Sequence, residues 1–186
     1  MEEFDFAHEV LFLGKSNSLP SNIPSRDKVF HAVLESFDSS PVSVFQVGAI
    51  ETYNVQWRIG SGWSDLVWGD YINEFGGKLT VVDINLDNIA KSELASQKKG
   101  YPLETIYGDA IDHIEDGYNI YYLDGGNDPK ETLDQFNKIK HTESVVLIDD
   151  YSIKGTLVDN QSVSEDYTVE IHQVANDVGV IDLRKK

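Results

Sequence analysis

The chain has 186 residues, 40% of them hydrophobic and 11% aromatic, which is enough for one well-packed domain and short for two. Its formal charge of −17 opposes nucleic acid and anionic membrane surfaces as partners, because both need a basic footprint. The absence of cysteine excludes a disulfide framework, a thiolate zinc site and a cysteine nucleophile, and no apolar run approaches the ~18 residues of a membrane span.

The start, Met1-Glu2-Glu3-Phe4, is acidic where a signal peptide would be basic, so a cytoplasmic protein is expected. Residues 1–24 have no sustained period, and the run from Ser16 to Pro24 reads as a loop or lid. Ser25 is placed to cap a helix whose Val29, Phe30, Val33, Leu34 and Phe37 share a face, and Pro41 follows its end. Val42–Val47 is a buried strand by its β-branched and aromatic content. An unusual segment runs from Gly48 to Gly60-Ser61-Gly62. Ser64 or Asp65 then offers a cap for a helix carrying Val67, Trp68, Tyr71, Ile72 and Phe75. A strand from Leu79 to Asp83 leads into a helix from about Leu86 to Lys99, stopped by Gly100.

Short strands follow at Glu104–Tyr107 and Tyr118–Leu123. The best signalled helix has Asp128 as N-cap, Pro129 in its first position, Glu131 in a capping box, and a stripe of Leu133, Phe136 and Ile139. Val145–Ile148 is a buried strand, a helix is expected near Lys154 to Asp159, and Tyr167 to Leu183 reads as a hairpin turning around Asn176-Asp177. Alternating strands and helices predict an α/β fold with a mostly parallel sheet, helices on both faces and a C-terminal antiparallel hairpin. One domain, residues 1–186, is expected. Residues 1–41 form an N-terminal segment and helix able to act as a lid, and 42–186 form the core.

Four apolar runs end in carboxylates: Asp83, Asp109 (after Gly108), Asp124, and the pair Asp149-Asp150. Ligands of open α/β sheets bind outside the carboxyl ends of the strands, where an aspartate is placed to accept hydrogen bonds from a ribose diol. Taken singly, an aspartate closing a strand is more often a helix cap or turn former. His113 has two readings, a cofactor edge or plain exposure. In the aromatic group Tyr53, Trp57, Trp63 and Trp68, Trp57 and Trp63 either wall a ligand or pack the loop, whereas Trp68 reads as core.

This pattern resembles the class I S-adenosylmethionine-dependent methyltransferases over roughly Val42 to Leu183. The local runs Leu123-Asp124-Gly125-Gly126 and Ile148-Asp149-Asp150-Tyr151 look like those of the metal-dependent, macrocin-type sugar O-methyltransferases. The resemblance implies a Rossmann-like fold and methyl transfer from S-adenosyl-L-methionine to a hydroxyl of a small molecule or sugar. It also implies assistance by Mg2+, an ion that takes oxygen ligands octahedrally and lowers the pKa of a bound hydroxyl. Carried onto this chain, Gly48 lets the first loop approach the methionine part, with Gly60 and Gly62 further along the loop. Asp83 takes the ribose hydroxyls with Ile84 beside it. Asp109 and Ala110 lie at the adenine, and Asp124, Asp149 and Asp150 are the metal ligands.

Three features depart from that family's pattern. Gln46 stands where an acidic residue is usual, and the close glycine series is missing after Gly48. An extended loop, with Glu51 at the cofactor ammonium, accounts for both; the alternative makes Val55–Ile59 the first strand. The third is Gly126, where those enzymes carry an aspartate that serves as general base. Asp124 and Asp128 remain as catalytic candidates. The same departures suit a second reading, a non-catalytic module binding S-adenosylmethionine or another adenosine compound. The expected partner is a small-molecule acceptor. A homo-oligomer is compatible with the sequence, which does not fix the oligomeric state.

Overall fold

Val42–Val47 (β1) is the strand on which the sheet is built. In the computed structural model, which describes residues 26–51, 63–159, 166–173 and 179–186, β1 pairs in parallel with Gly77–Asp83 (β2) on one side and Ile120–Leu123 (β4) on the other. Glu104–Tyr107 (β3) extends the sheet beyond β2, and Val145–Ile148 (β5) extends it beyond β4, both in parallel. The terminal hairpin, Tyr167–Gln173 (β6) and Gly179–Lys185 (β7), completes seven strands in the order β3-β2-β1-β4-β5-β7-β6, with β7 antiparallel to both neighbours. This is the mostly parallel sheet with a closing antiparallel hairpin that the sequence predicts. The hairpin turn expected at Asn176-Asp177 lies outside the described residues.

Strand order reverses between β1 and β4. Chain connections leave these two strands in opposite directions, so a crevice opens above their carboxyl ends. Alternation along each strand sends neighbours to opposite faces, and both faces are covered. On one, Val44, Leu79 and Tyr122 pack with Val29, Phe30, Val33 and Leu34 of helix Arg26–Glu35 (α1) and Leu66, Val67, Trp68 and Ile72 of helix Ser64–Phe75 (α2). On the other, Phe45, Tyr121 and Leu123 pack with Phe136 and Ile139 of helix Pro129–Ile139 (α5). Phe30, Trp68 and Tyr122 form a ring cluster with centroids 4.7, 5.1 and 6.1 Å apart, which fastens α1 and α2 to β4. No helix among the described residues is long and apolar enough to cross a membrane.

The helix ends follow their sequence signals in two cases and depart in a third. Helix Leu86–Lys99 (α3) is capped by the Asn85 side chain, which accepts from the Asp87 amide, and ends at Gly100 with φ +83°. In α5 the Asp128 carboxylate accepts from the Lys130 amide, with Pro129 leading the helix. The capping of α2 by Ser64 or Asp65 is corrected: Trp63 is the N-cap, without a side-chain cap bond, and Ser64 and Asp65 lie within the helix and are buried. Two elements had no clear signal. One is the single turn Ala110–His113 (α4). The other is the π-helical turn Tyr151–Gly155, which leads into the short helix Thr156–Asp159 (α6) near the expected place.

Candidate functional site

The first half of the site is made where β1, β2 and β3 end. Gly48 leaves β1 with φ +94°, and a Cβ on it would lie 2.7 Å from the Asp124 carbonyl oxygen. Only glycine allows both that conformation and that approach. Behind it, buried Gln46 donates from Nε2 to the Gly48 carbonyl at 2.6 Å, so a neutral amide props the turn from below. Asp83 closes β2. Its carboxylate accepts from the amides of Ala49 (2.9 Å) and Asn85 (2.7 Å) and from the Asn88 side chain (3.2 Å), which fixes its orientation. Ile84, next along, is 72% exposed, an apolar surface of the kind a planar ring covers. Beyond β3, Asp109 caps α4 by accepting from the Ile111 amide at 3.1 Å, with Ala110 buried behind it. His113 is exposed, and its Nε2 would lie 2.5 Å from a Cβ on Gly108.

The second half lies where β4 and β5 end, and it is a lattice of charges. Asp149 is fully buried, 2.9 Å from Arg26 Nε and 2.7 Å from the Tyr122 hydroxyl. Arg26 Nη2 reaches Asp150 at 3.0 Å. Lys154 Nζ lies 2.7 Å from Asp124 Oδ1 and 3.0 Å from Asp150 Oδ2, and the Tyr122 hydroxyl is 3.2 Å from Asp124 Oδ2. Burial pushes the Asp149 carboxyl up, as does Asp124, while Arg26 opposes the rise. Burial likewise raises the Tyr122 hydroxyl well above its ordinary value, reinforced by Asp124 and Asp149, so it stays protonated. For Lys154, burial would lower the ammonium, but Asp124 beside it more than reverses this, and the group remains a cation.

The backbone is bent to make that lattice. Asp150 sits in the left-handed region at φ 48° and ψ 49°, which aspartate tolerates better than most residues, and the π turn begins immediately after it. The amides of Ile153 and Lys154 both donate to the Asp150 carbonyl at 2.8 Å. The wider turn swings Lys154 back over the sheet edge, where its side chain is only 4% exposed.

Between the halves lies a cavity of about 490 Å3, large enough for a nucleoside with a short chain. Its wall brings together Gly48, Glu51, Asp83, Ile84, Asp109 and Ala110 from the first half. Asp124, Gly126, Glu131, Asp150 and Lys154 come from the second. Of the expected site residues, Asp128 is not in this wall; its carboxylate is spent on capping α5. Asp149 is buried beneath the wall. Gly60, Gly62, Tyr53 and Trp57 lie outside the described residues, and Trp63 packs in the core.

The metal centre expected at Asp124, Asp149 and Asp150 is not shown by the structure. Among the described residues no group of three or more His, Cys, Asp or Glu is arranged to hold an ion. The carboxylates do converge, but a guanidinium and an ammonium stand among them. Sequence reasoning missed both cations. Lys154, four residues after Asp150 across a helical turn, carried a local signal; Arg26 carried none. Glu131 was also missed as a site residue. It faces the cavity, accepts from Gln135 Nε2 at 3.3 Å, and is raised by burial, then by Asp109 and Asp128. Its Oε2 would be 3.3 Å from a Cβ on Gly126, so a carboxylate occupies the space the glycine leaves.

The sequence matches no known family model and no curated protein. Solved structures do share the fold. The O-methyltransferase TomG from Streptomyces achromogenes, in complex with S-adenosylmethionine, superposes with a TM-score of 0.63 at 13% identity, covering 100% of this chain and 92% of that one. A putative rRNA methylase from Clostridium thermocellum gives 0.62 at 10% identity, covering 84% of this chain and 94% of that one. A dimethyladenosine transferase from Plasmodium falciparum gives 0.55 at 15% identity over 83% of this chain; the chain spans only 62% of that protein. The fold of this chain is therefore the Rossmann-like fold of the class I methyltransferases.

Proposed function

We propose that the protein transfers a methyl group from S-adenosylmethionine to a hydroxyl of a small molecule. The observation that carries this reading is the cavity at the β1/β4 reversal, walled on one side by the Gly48 turn and the pinned Asp83 carboxylate. The residues fit the cofactor: Gly48 removes the Cβ that would crowd the loop, and Asp83 keeps acceptor capacity for ribose hydroxyls beyond its three bonds. From the same cavity wall, Asp109 would take the adenine amino group, Ile84 and Ala110 the ring, and Glu51 the ammonium. When bound, the cofactor supplies an electrophilic methyl carbon, so the protein's task is alignment and acceptance of a proton.

For the proton, Glu131 is the fitting group. A carboxyl raised above its ordinary value, at the cavity wall, and in the space left by Gly126 suits a general base. Asp124 is less suited, since Lys154 and Tyr122 engage both of its oxygens. No step is assigned to Mg2+, because the residues expected to hold it are already paired with cations. The charge of −17 favours a small acceptor over nucleic acid.

The test is calorimetric titration with S-adenosylhomocysteine, followed by turnover of S-adenosylmethionine against catechols and sugars. Binding with turnover that falls ~10²–10⁴-fold in Glu131→Gln is the expected result. Failure to bind would sink the cofactor reading. Tight binding with no turnover of any hydroxyl would favour the non-catalytic module.

A further inference from the structure

We propose that Lys154 is a resident counter-ion, held by Asp124 and Asp150 in the place a divalent cation would otherwise take, and that it closes this carboxylate cluster to metals. Three observations converge. The Nζ atom lies within 2.7 Å of one carboxylate oxygen and 3.0 Å of another, at the ends of the neighbouring strands β4 and β5. Arg26, arriving from α1, adds a second cation to the cluster, paired with Asp149 and Asp150 at 2.9 and 3.0 Å. The π turn and the left-handed Asp150 are what deliver Lys154 to its position, so local backbone strain is used to seat the ammonium.

Electrostatics decide which cation wins. Three carboxylates so close together repel one another, and some positive charge must sit among them. A covalently tethered ammonium is always present, whereas an ion must be drawn from solution and stripped of water, and magnesium loses water reluctantly. To enter, Mg2+ would have to displace a buried Lys154 whose charge would then have no partner, which is costly. With that ammonium removed, Asp124 Oδ1 and Asp150 Oδ2 lose the cation that now lies 2.7 and 3.0 Å from them.

The inference does not rest on the cofactor reading; it concerns the charge lattice alone, and its test needs neither cofactor nor acceptor. The probe is Mn2+, followed by paramagnetic resonance and by thermal melting at physiological ionic strength, on the full chain. The native protein should show no saturable site in the millimolar range and the same melting shift with Mn2+ as with Na+ at equal ionic strength. Lys154→Ala, and Lys154→Met as the variant that keeps the apolar stem, should each gain one Mn2+ site at least about tenfold tighter than anything in the native chain. That is the least change expected from deleting one adjacent counter-charge. A native chain that binds one Mn2+ would overturn the proposal whether or not either variant folds. So would a folded variant that gains no site.

Discussion

Asp83 and Asp109, at the β2 and β3 ends, spend their carboxylates on backbone amides and face an open cavity. Asp124, Asp149 and Asp150, at the β4 and β5 ends, are met by Arg26, Lys154 and Tyr122. The residue type and its strand-terminal position are the same. What differs is what arrives from elsewhere in the chain. A carboxylate oriented by fixed amides keeps lone pairs for a ligand, while one enclosed by cations becomes part of the scaffold. Position alone therefore does not tell a ligand-binding aspartate from a structural one.

The largest effect should come from breaking the scaffold half. Arg26→Ala leaves buried Asp149 without its cation, and urea unfolding should show a loss of about 3–5 kcal/mol. A loss below about 1 kcal/mol, typical of surface pairs, would mean that the lattice is ornamental.

Asp65 sharpens the comparison, because it is a buried carboxylate with no cation among the described residues. Burial pushes it up to about 7, and the nearby Ser92 hydroxyl opposes the shift without the geometry of a full hydrogen bond. The sign follows from proton counting. Between the unfolded value near 3.8 and the folded value near 7, the native state holds a proton that the unfolded state has lost. Stability conferred by the neutral acid is therefore complete below the unfolded value and is lost as pH rises toward 7. The loss attributable to Asp65 is on the order of 4 kcal/mol across that window. Asp65→Asn should remove this part of the pH dependence and be more stable than the native chain at pH ~8. A stability profile identical to the native one would contradict it.

Two glycines of the same cavity offer a milder contrast. Gly48→Ala must place a Cβ 2.7 Å from a backbone oxygen at positive φ, and should lower stability by about 1–3 kcal/mol. Gly126 has no positive φ and meets only the Glu131 carboxylate at 3.3 Å, so Gly126→Ala should change stability by less than ~1 kcal/mol. Equal losses in the two variants would show that the Gly48 turn is not a tight constraint.

Much of the fold was legible in the sequence because its signals are local. The β-branched run of β1, the Gly100 stop and the Asp128-Pro129 start each act within a few residues. The carboxylates at four strand ends were legible for the same reason. The charge lattice was not, since Arg26 and Asp149 meet only through packing of α1 against β4, and nothing in the spacing of either residue records that meeting. Asp65 was misread because an aspartate before an apolar stripe has the same local pattern whether it caps a helix or is buried inside one. Gly126 looked like a missing base. Its neighbour in space, Glu131, was hidden by a second local reading as a capping-box residue.

The most direct test of the division between the halves is calorimetric titration of S-adenosylhomocysteine into Asp83→Ala and Arg26→Ala beside the native chain, with each variant's unfolding free energy measured in parallel. Asp83→Ala should lose about 1.5–3 kcal/mol of binding, with a stability loss of about 1–2 kcal/mol from the amides it pairs, smaller than that of Arg26→Ala. Arg26→Ala should lose stability while its folded fraction binds with near-native affinity. Native affinity in Asp83→Ala, with binding abolished in folded Arg26→Ala, would place the ligand in the other half and contradict the account.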